Sequence, residues 1–178
     1  MTHEEALLRG RLLRTTKGLR ASNPLAKDVL DFGRQHALWL LGLTPGKAKK
    51  LSWSGFRKAV KASSHRSGKP HPMLALGQEL ARLLGLSATD TAILQAMLIL
   101  ERTARGAELA NLLIQQGASL PTLIGEAAGL SSCEAERSVR NHLLVRLSFV
   151  SFEANWRGAV NMQFRWTFER LLDAQPES

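Results

Sequence analysis

The sequence holds a single cysteine, Cys133. No intrachain disulfide can form, and no zinc site built on several cysteines. Cysteine this scarce fits a reducing, intracellular setting, and a cytoplasmic location is expected. No apolar run approaches the roughly 18 residues that a membrane span requires, so no membrane partner is expected. The opening MTHEEALLRGRLLR is acidic before it is apolar and has no small-residue cleavage site, which argues against a secretory signal. Glycine and proline number 14 and 6, too few for a linker-dominated chain of 178 residues. Hydrophobic residues make up 44% and charged residues 22%, ordinary globular values that argue against general disorder. Motifs of catalysis are scarce too. There is no GxxxxGK(S/T) phosphate loop, no HExxH pair and no paired-acid motif. The histidines are His3, His36, His65, His71 and His142. Only His65 and His71 come close together, flanking Gly and Pro in a polar stretch. Cys133 lies near an expected helix start, which can activate a thiol, but no His or Asp partner accompanies it. The reading is of a non-enzyme without metal or cofactor.

Acid is missing from one long stretch. Between Phe32 and Gln78 there is no Asp or Glu, while every lysine lies at or before Lys69. The formal net charge is +9 and the pI about 10.6. Residues 1–72 carry +11 and residues 73–178 carry −2. A basic half followed by a near-neutral half points to a subdomain that meets a polyanion.

Periodicity gives a mainly α chain. Residues 3–20 read as a basic helix, with Leu7, Leu8, Leu12 and Leu19 among Arg9, Arg11, Arg14, Lys17 and Arg20. Ser22-Asn23-Pro24 is a helix start, opening a helix to Leu41 with Leu25, Val29, Phe32, Leu38 and Leu41 as its stripe. Thr44-Pro45-Gly46 opens a short basic stretch. Ser52 caps a helix from Trp53 to Ala62, with Trp53, Phe56 and Val60 inward. SSHRSGKPHP, residues 63–72, is the expected linker, which makes 1–72 a basic helical region and 73–178 a second domain. In that second part helices are expected over 73–84, 87–103, 108–115, 119–128 and 131–145. Ser87/Asp90 and Ser131/Glu134 read as capping boxes. The period then shifts to that of strands over Phe149–Glu153 and Val160–Phe168, around an Asn155-Trp156-Arg157-Gly158 turn.

The segment LPTLIGEAAGLSSCEAERSVRNHLLVRLSFVSFE carries the most information. A helix-turn-helix needs a small residue where the first helix meets the second. Four residues on it needs a glycine for a left-handed turn, then an apolar residue under that turn. Gly125, Gly129 and Leu130 supply these, and Ala135, Val139 and Leu143 face inward from the second helix. With the strand-turn-strand that follows, residues 118–168 resemble a winged helix-turn-helix domain with a two-stranded wing. Ala81, Gly85, Leu86 and Ser87 repeat the spacing 44 residues earlier. That echo is either a tandem unit or two ordinary helix ends, since Gly at C′ before a Ser N-cap is generic.

Residues 73–172 are also similar to the helical, winged-helix-like region that precedes the ATPase module in some bacterial AAA+ ATPases. The shared pattern is Leu84-Gly85-Leu86-Ser87, a long aliphatic helix, and the phrase Leu144 to Val150. Without a phosphate loop, that resemblance implies a recruitment or regulatory module that docks a partner such as an ATPase. It implies no ATPase activity.

Two sets of residues are candidates for nucleic acid. Lys47, Lys49, Lys50, Arg57, Lys58, Lys61, Arg66 and Lys69 form an unbalanced basic run suited to phosphates, with Trp53 and Phe56 interleaved. Arg137, Arg140, Asn141 and His142 are the polar positions of the presumed recognition helix. Arg suits guanine and Asn suits adenine. Trp156 and Arg157 occupy the expected wing tip, where Arg favours phosphate or minor groove, and Arg165 alternates with Phe164 and Trp166 on the return strand. Against groove reading, Glu134 and Glu136 sit at the end that would enter the groove, and the half that carries them is net negative. The leading expectation is a non-catalytic binder of nucleic acid, double-stranded DNA first. The alternative is a protein-docking module.

Overall fold

The computed structural model describes residues 3–17, 19–63, 72–154, 160–165 and 170. The described residues are mainly helical, with one two-stranded antiparallel sheet. The chain divides into two compact units, Met1–His71 and Pro72–Ser178.

The N-terminal unit holds α1 (His3–Lys17), α2 (Pro24–Gln35), α3 (Ala37–Leu41), α4 (Pro45–Lys49) and α5 (Trp53–Ser63). Asn23 starts α2, its side-chain oxygen accepting the Leu25 N–H at 2.9 Å. Proline follows at N1, where its missing N–H costs nothing. Ala26, Val29, Phe32 and Gly33 form the buried face of α2. The core closes on Phe56 and Val60 of α5, Leu8 and Leu12 of α1, and Leu40 of α3, all fully buried. Gly33 makes the α2–α5 approach possible: a Cβ there would lie 2.2 Å from the Phe56 ring.

Two expectations are corrected in this unit. The helix expected from Pro24 to Leu41 breaks at His36, whose ring stands 4.6 Å from Phe32. Leu38 is 67% exposed while Leu40 is buried. The reason is periodicity: Leu40 follows Val29 by eleven residues, close to three full turns, whereas Leu38 falls away from that line. Arg11, which lies beside Leu12 on α1, is only 8% exposed.

The C-terminal unit holds α6 (Pro72–Leu83), α7 (Ala88–Arg102), α8 (Ala104–Gln115), α9 (Leu120–Ala127), α10 (Ser132–Arg140), α11 (Leu143–Arg146), β1 (Val150–Ala154) and β2 (Val160–Phe164). Its centre is α7. Ile93, Leu94 and Ala96 to Leu100 are all buried, so this helix is covered nearly all round, by α6, α8 and α9. Ser87 caps it, accepting from the Asp90 N–H at 3.1 Å and donating to the Asp90 carboxylate. The α8 helix starts at Ala104, four residues before the expected Glu108. Thr103 supplies the cap, accepting from the Gly106 N–H and donating to the Ile99 carbonyl at 2.7 Å.

The turn from α9 to α10 follows the chemistry of its small residues. A Cβ on Gly125 would lie 2.5 Å from that of Ala135, so only glycine allows this approach. Gly129 takes φ 101°, and the Leu130 N–H returns to the Gly125 carbonyl at 3.0 Å. Ala135 and Val139 are fully buried. The helix expected through Val145 instead breaks at Asn141 and His142. The break rotates the chain, so Leu144 is the fully buried leucine and Leu143 is only half-buried. The strands pair antiparallel, with Val150 opposite Phe164 and Ala154 opposite Val160. The Trp156 turn and the strand residues expected after Arg165 lie outside the described residues.

Candidate nucleic-acid interface

On α5, Phe56 and Val60 point into the core, and Trp53 is half-buried with its ring 5.9 Å from that of Phe56. The apolar residues use up one face. At 100° per residue, Lys58 falls opposite that face while Arg57 and Lys61 flank it, and all three are exposed. The five-residue α4 repeats the arrangement: Ala48 is buried, while Lys47, Lys49 and the capping Lys50 are exposed. Lys47, Lys49, Lys50, Arg57 and Lys58 make no ion pair with another described residue. Six of the eight cations expected to meet phosphate therefore lie on solvent-facing positions of α4 and α5. Arg66 and Lys69 lie outside the described residues.

The corner joining α4 to α5 is held by a residue the sequence reading passed over. Arg34, in the last turn of α2, donates from Nη2 to the Leu51 carbonyl at 2.8 Å. Its Nη1 donates to the Asp31 carboxylate at 3.0 Å. Ser52 then starts α5 by accepting the Gly55 N–H.

On α10 the candidates divide. Arg137 and Asn141 are exposed. Arg140 is committed to Glu136 one turn back, with Nε and Nη2 each 3.0 Å from the same oxygen. At the start of the helix, Ser131 donates to Glu134 at 2.5 Å and Ser132 donates to Glu126. Two carboxylates, Glu134 of α10 and Glu126 of α9, are therefore held by serines at the N-terminal end of α10. Cys133 is exposed, its Sγ 3.2 Å from the Ser131 hydroxyl.

His142 cannot reach a base edge, and that expectation is withdrawn. It is fully buried, with Nε2 2.9 Å from the Asp90 carbonyl and Nδ1 accepting the Leu144 N–H at 3.2 Å. Because Nδ1 accepts, Nε2 carries the proton and the ring is neutral. Burial holds its pKa below the usual 6.5, opposed in part by the hydrogen bond to Asp90. The ring caps α11 and ties the α10–α11 break to the first turn of α7.

The return strand ends at Phe164, which is 7% exposed, and Arg165 just beyond it is exposed. Trp156, Arg157 and Trp166 lie outside the described residues, as do His65 and His71. Among the described residues, no group of three or more His, Cys, Asp or Glu could hold a metal ion. No described helix is long and apolar enough to cross a membrane.

The acid-free run points to α4 and α5 from sequence alone. Arg34 leaves no such signal, because its carbonyl partner is 17 residues away. The Glu136–Arg140 pair was readable as i,i+4 spacing. Compared with known proteins, the chain matches no family model, no curated protein and no solved structure.

Proposed function

We propose that this protein is a non-catalytic binder of double-stranded nucleic acid, DNA first, through the phosphate backbone. The observation that carries the reading is the α4–α5 face: six exposed cations over a buried Ala48, Phe56 and Val60, in a stretch without acid from Phe32 to Gln78. Each cation that neutralises a phosphate releases counterions, so affinity comes without base information. A duplex fits this face better than an unstacked strand. Single-strand binders offer exposed aromatic platforms, whereas Phe56 is buried here and Trp53 leans on it. The C-terminal unit we read as a winged helix-turn-helix that orients the complex or presents a partner surface. Support comes from the Gly125–Ala135 approach, the left-handed Gly129 and the antiparallel hairpin after α11.

The test is fluorescence anisotropy with a labelled random duplex from about 50 to 200 mM salt. With roughly six phosphate contacts, log K should fall against log[salt] with a slope near −5. Strong binding that stays flat across that range contradicts the electrostatic account. No binding at the low-salt end removes nucleic acid from the reading.

A second reading has its own observation. The N-terminal end of α10 carries Glu134 and lies beside Glu126 of α9, and Arg140 is neutralised by Glu136. Such a surface repels phosphate and suits a protein partner, as the resemblance to the region before AAA+ ATPase modules implies. In that case duplex affinity at physiological salt is negligible, and the partner is held by apolar contacts that salt does little to weaken.

A further inference from the structure

We propose that Arg34 is a positioning residue for the α4–α5 basic face, fixing the corner at Leu51 so that the α4 lysines act together with those of α5. The inference rests on the nucleic-acid reading above. Leu51 sits between the last residue of α4's cap, Lys50, and Ser52, which starts α5. Its carbonyl precedes α5, outside that helix's own ladder, and the donor it receives is Arg34 Nη2 at 2.8 Å. The same guanidinium is oriented from within α2 by Asp31, three residues back, at 3.0 Å. Arg34 is only partly exposed, and with both Nη groups engaged it is poorly placed to contact phosphate itself. It acts instead as a strut from α2 to the hinge between two groups of cations. Lys47, Lys49 and Lys50 stand on one side of that hinge, and Arg57, Lys58 and Lys61 on the other. Phosphate neutralisation is cooperative only if both groups meet one backbone at once. A loose corner turns one site of about six contacts into two of about three.

Charge and position are separated by two variants of the full chain. Arg34→Lys keeps the charge and loses the planar fork that serves Leu51 and Asp31 together. Asp31→Asn adds one unit of net positive charge while removing the group that orients the guanidinium. Because the Asp31–Arg34 pair is on the surface, this second variant is expected to fold normally. Both are titrated with the same labelled duplex across salt, with thermal melts alongside. The expected result is a shallower slope in both, by up to about 2.7 if all three α4 lysines uncouple, and weaker binding at about 100 mM salt. The effect of Arg34→Lys should also shrink in a Lys47→Gln, Lys49→Gln, Lys50→Gln background. A purely structural role lowers the melting temperature and leaves the slope of the folded protein unchanged, which overturns the proposal. Tighter binding by Asp31→Asn, as total charge alone requires, overturns it even if Arg34→Lys fails to fold. Absence of duplex binding by the wild-type chain sinks the nucleic-acid reading instead, and this proposal with it.

Discussion

Some of the surface cations in the two units are treated differently. In the C-terminal unit Arg82 is held by Glu79 and Arg140 by Glu136, each acid one turn back on the same helix. The Glu79 carboxyl is pushed below the usual carboxylate range by its hydrogen bond from Arg82. In the N-terminal unit, Lys47, Lys49, Lys50, Arg57 and Lys58 make no such ion pair among the described residues. One ion pair of that unit, Arg34 to Asp31, helps to hold a corner. Exposed pairs at this spacing add little stability, so their main consequence is the field they cancel. A helix whose cations are matched by its own acids presents no net field to a partner. One whose cations are unmatched repels itself, and that repulsion is relieved when an anion binds. If the protein binds a polyanion, as proposed, the contrast favours α4 and α5 over α10 as the place where it binds.

The largest effect should come from reversing charges on the α4–α5 face. Lys49→Glu, Lys50→Glu, Lys58→Glu and Lys61→Glu together change the face by eight charge units. Duplex affinity at about 100 mM salt should drop by roughly 100-fold or more. Arg137→Ala with Asn141→Ala should cost less than about fivefold, because those side chains belong to the C-terminal unit. Equal losses from the two variants would break the comparison and make α10 the reader.

Next in size are two packing substitutions that address the units separately. Gly33→Ala sets a methyl against the Phe56 ring, and Gly125→Ala sets one against Ala135. Overpacking of this kind costs about 1–3 kcal/mol. Hydrogen exchange should show Gly33→Ala loosening α2 and α5, with duplex binding reduced in parallel. Gly125→Ala should loosen α9 and α10 while duplex binding holds. Loss of binding from Gly125→Ala alone would show that the C-terminal unit contributes to the interface.

Much of this fold is readable in the sequence, and two of the misses, His142 and Arg34, share one cause. Helix starts follow local chemistry: Asn23, Ser87 and Ser119 each accept the N–H of a residue two or three further on. The hairpin was visible as a change of period, and its register pairs Val150 with Phe164. Both helix breaks were missed. At His142 the deciding bond runs 52 residues away, to the Asp90 carbonyl, and no window of sequence contains it. Leu143 looked inward only because a continuous helix was assumed. The basic face was legible because acid depletion and the Phe56–Val60 stripe are both local. Its brace at Arg34 was not, for the same reason as His142: a side chain that meets a distant carbonyl has no pattern of its own.

That long-range histidine gives a smaller effect, confined to the C-terminal unit. His142 is neutral when folded, with its pKa below the ordinary 6.5, while in the unfolded chain it titrates near 6.5. Above the unfolded value both states are neutral and the contribution is fully present. As pH falls below about 6.5 the unfolded ring takes up the proton first, so stability is lost progressively until the folded pKa is reached. Thermal melts between about pH 7.5 and 5 should show this loss, and His142→Gln should remove most of the slope at the cost of lower stability throughout. A wild-type melting temperature that is flat over this window, or a slope unchanged in His142→Gln, would show that the Asp90 bond does not control titration.

The smallest expected effect is the sharpest check on α10. Glu136→Gln removes the acid that neutralises Arg140 and leaves a neutral side chain of the same shape. Arg140 then stands exposed and unmatched, like Arg57 or Lys58 on α5. If α10 lies against the duplex, one more cation meets phosphate, the salt slope steepens by about 0.9, and affinity rises. If the polyanion belongs to α4 and α5 alone, the freed arginine has nothing to meet. Affinity should then change by less than about twofold, with the slope unmoved. The same substitution carries information about a protein partner. A surface that docks protein through α10 should respond to Glu136→Gln in partner affinity while duplex binding stays constant. A steeper duplex slope would place α10 at the backbone and make the contrast between the two units one of degree.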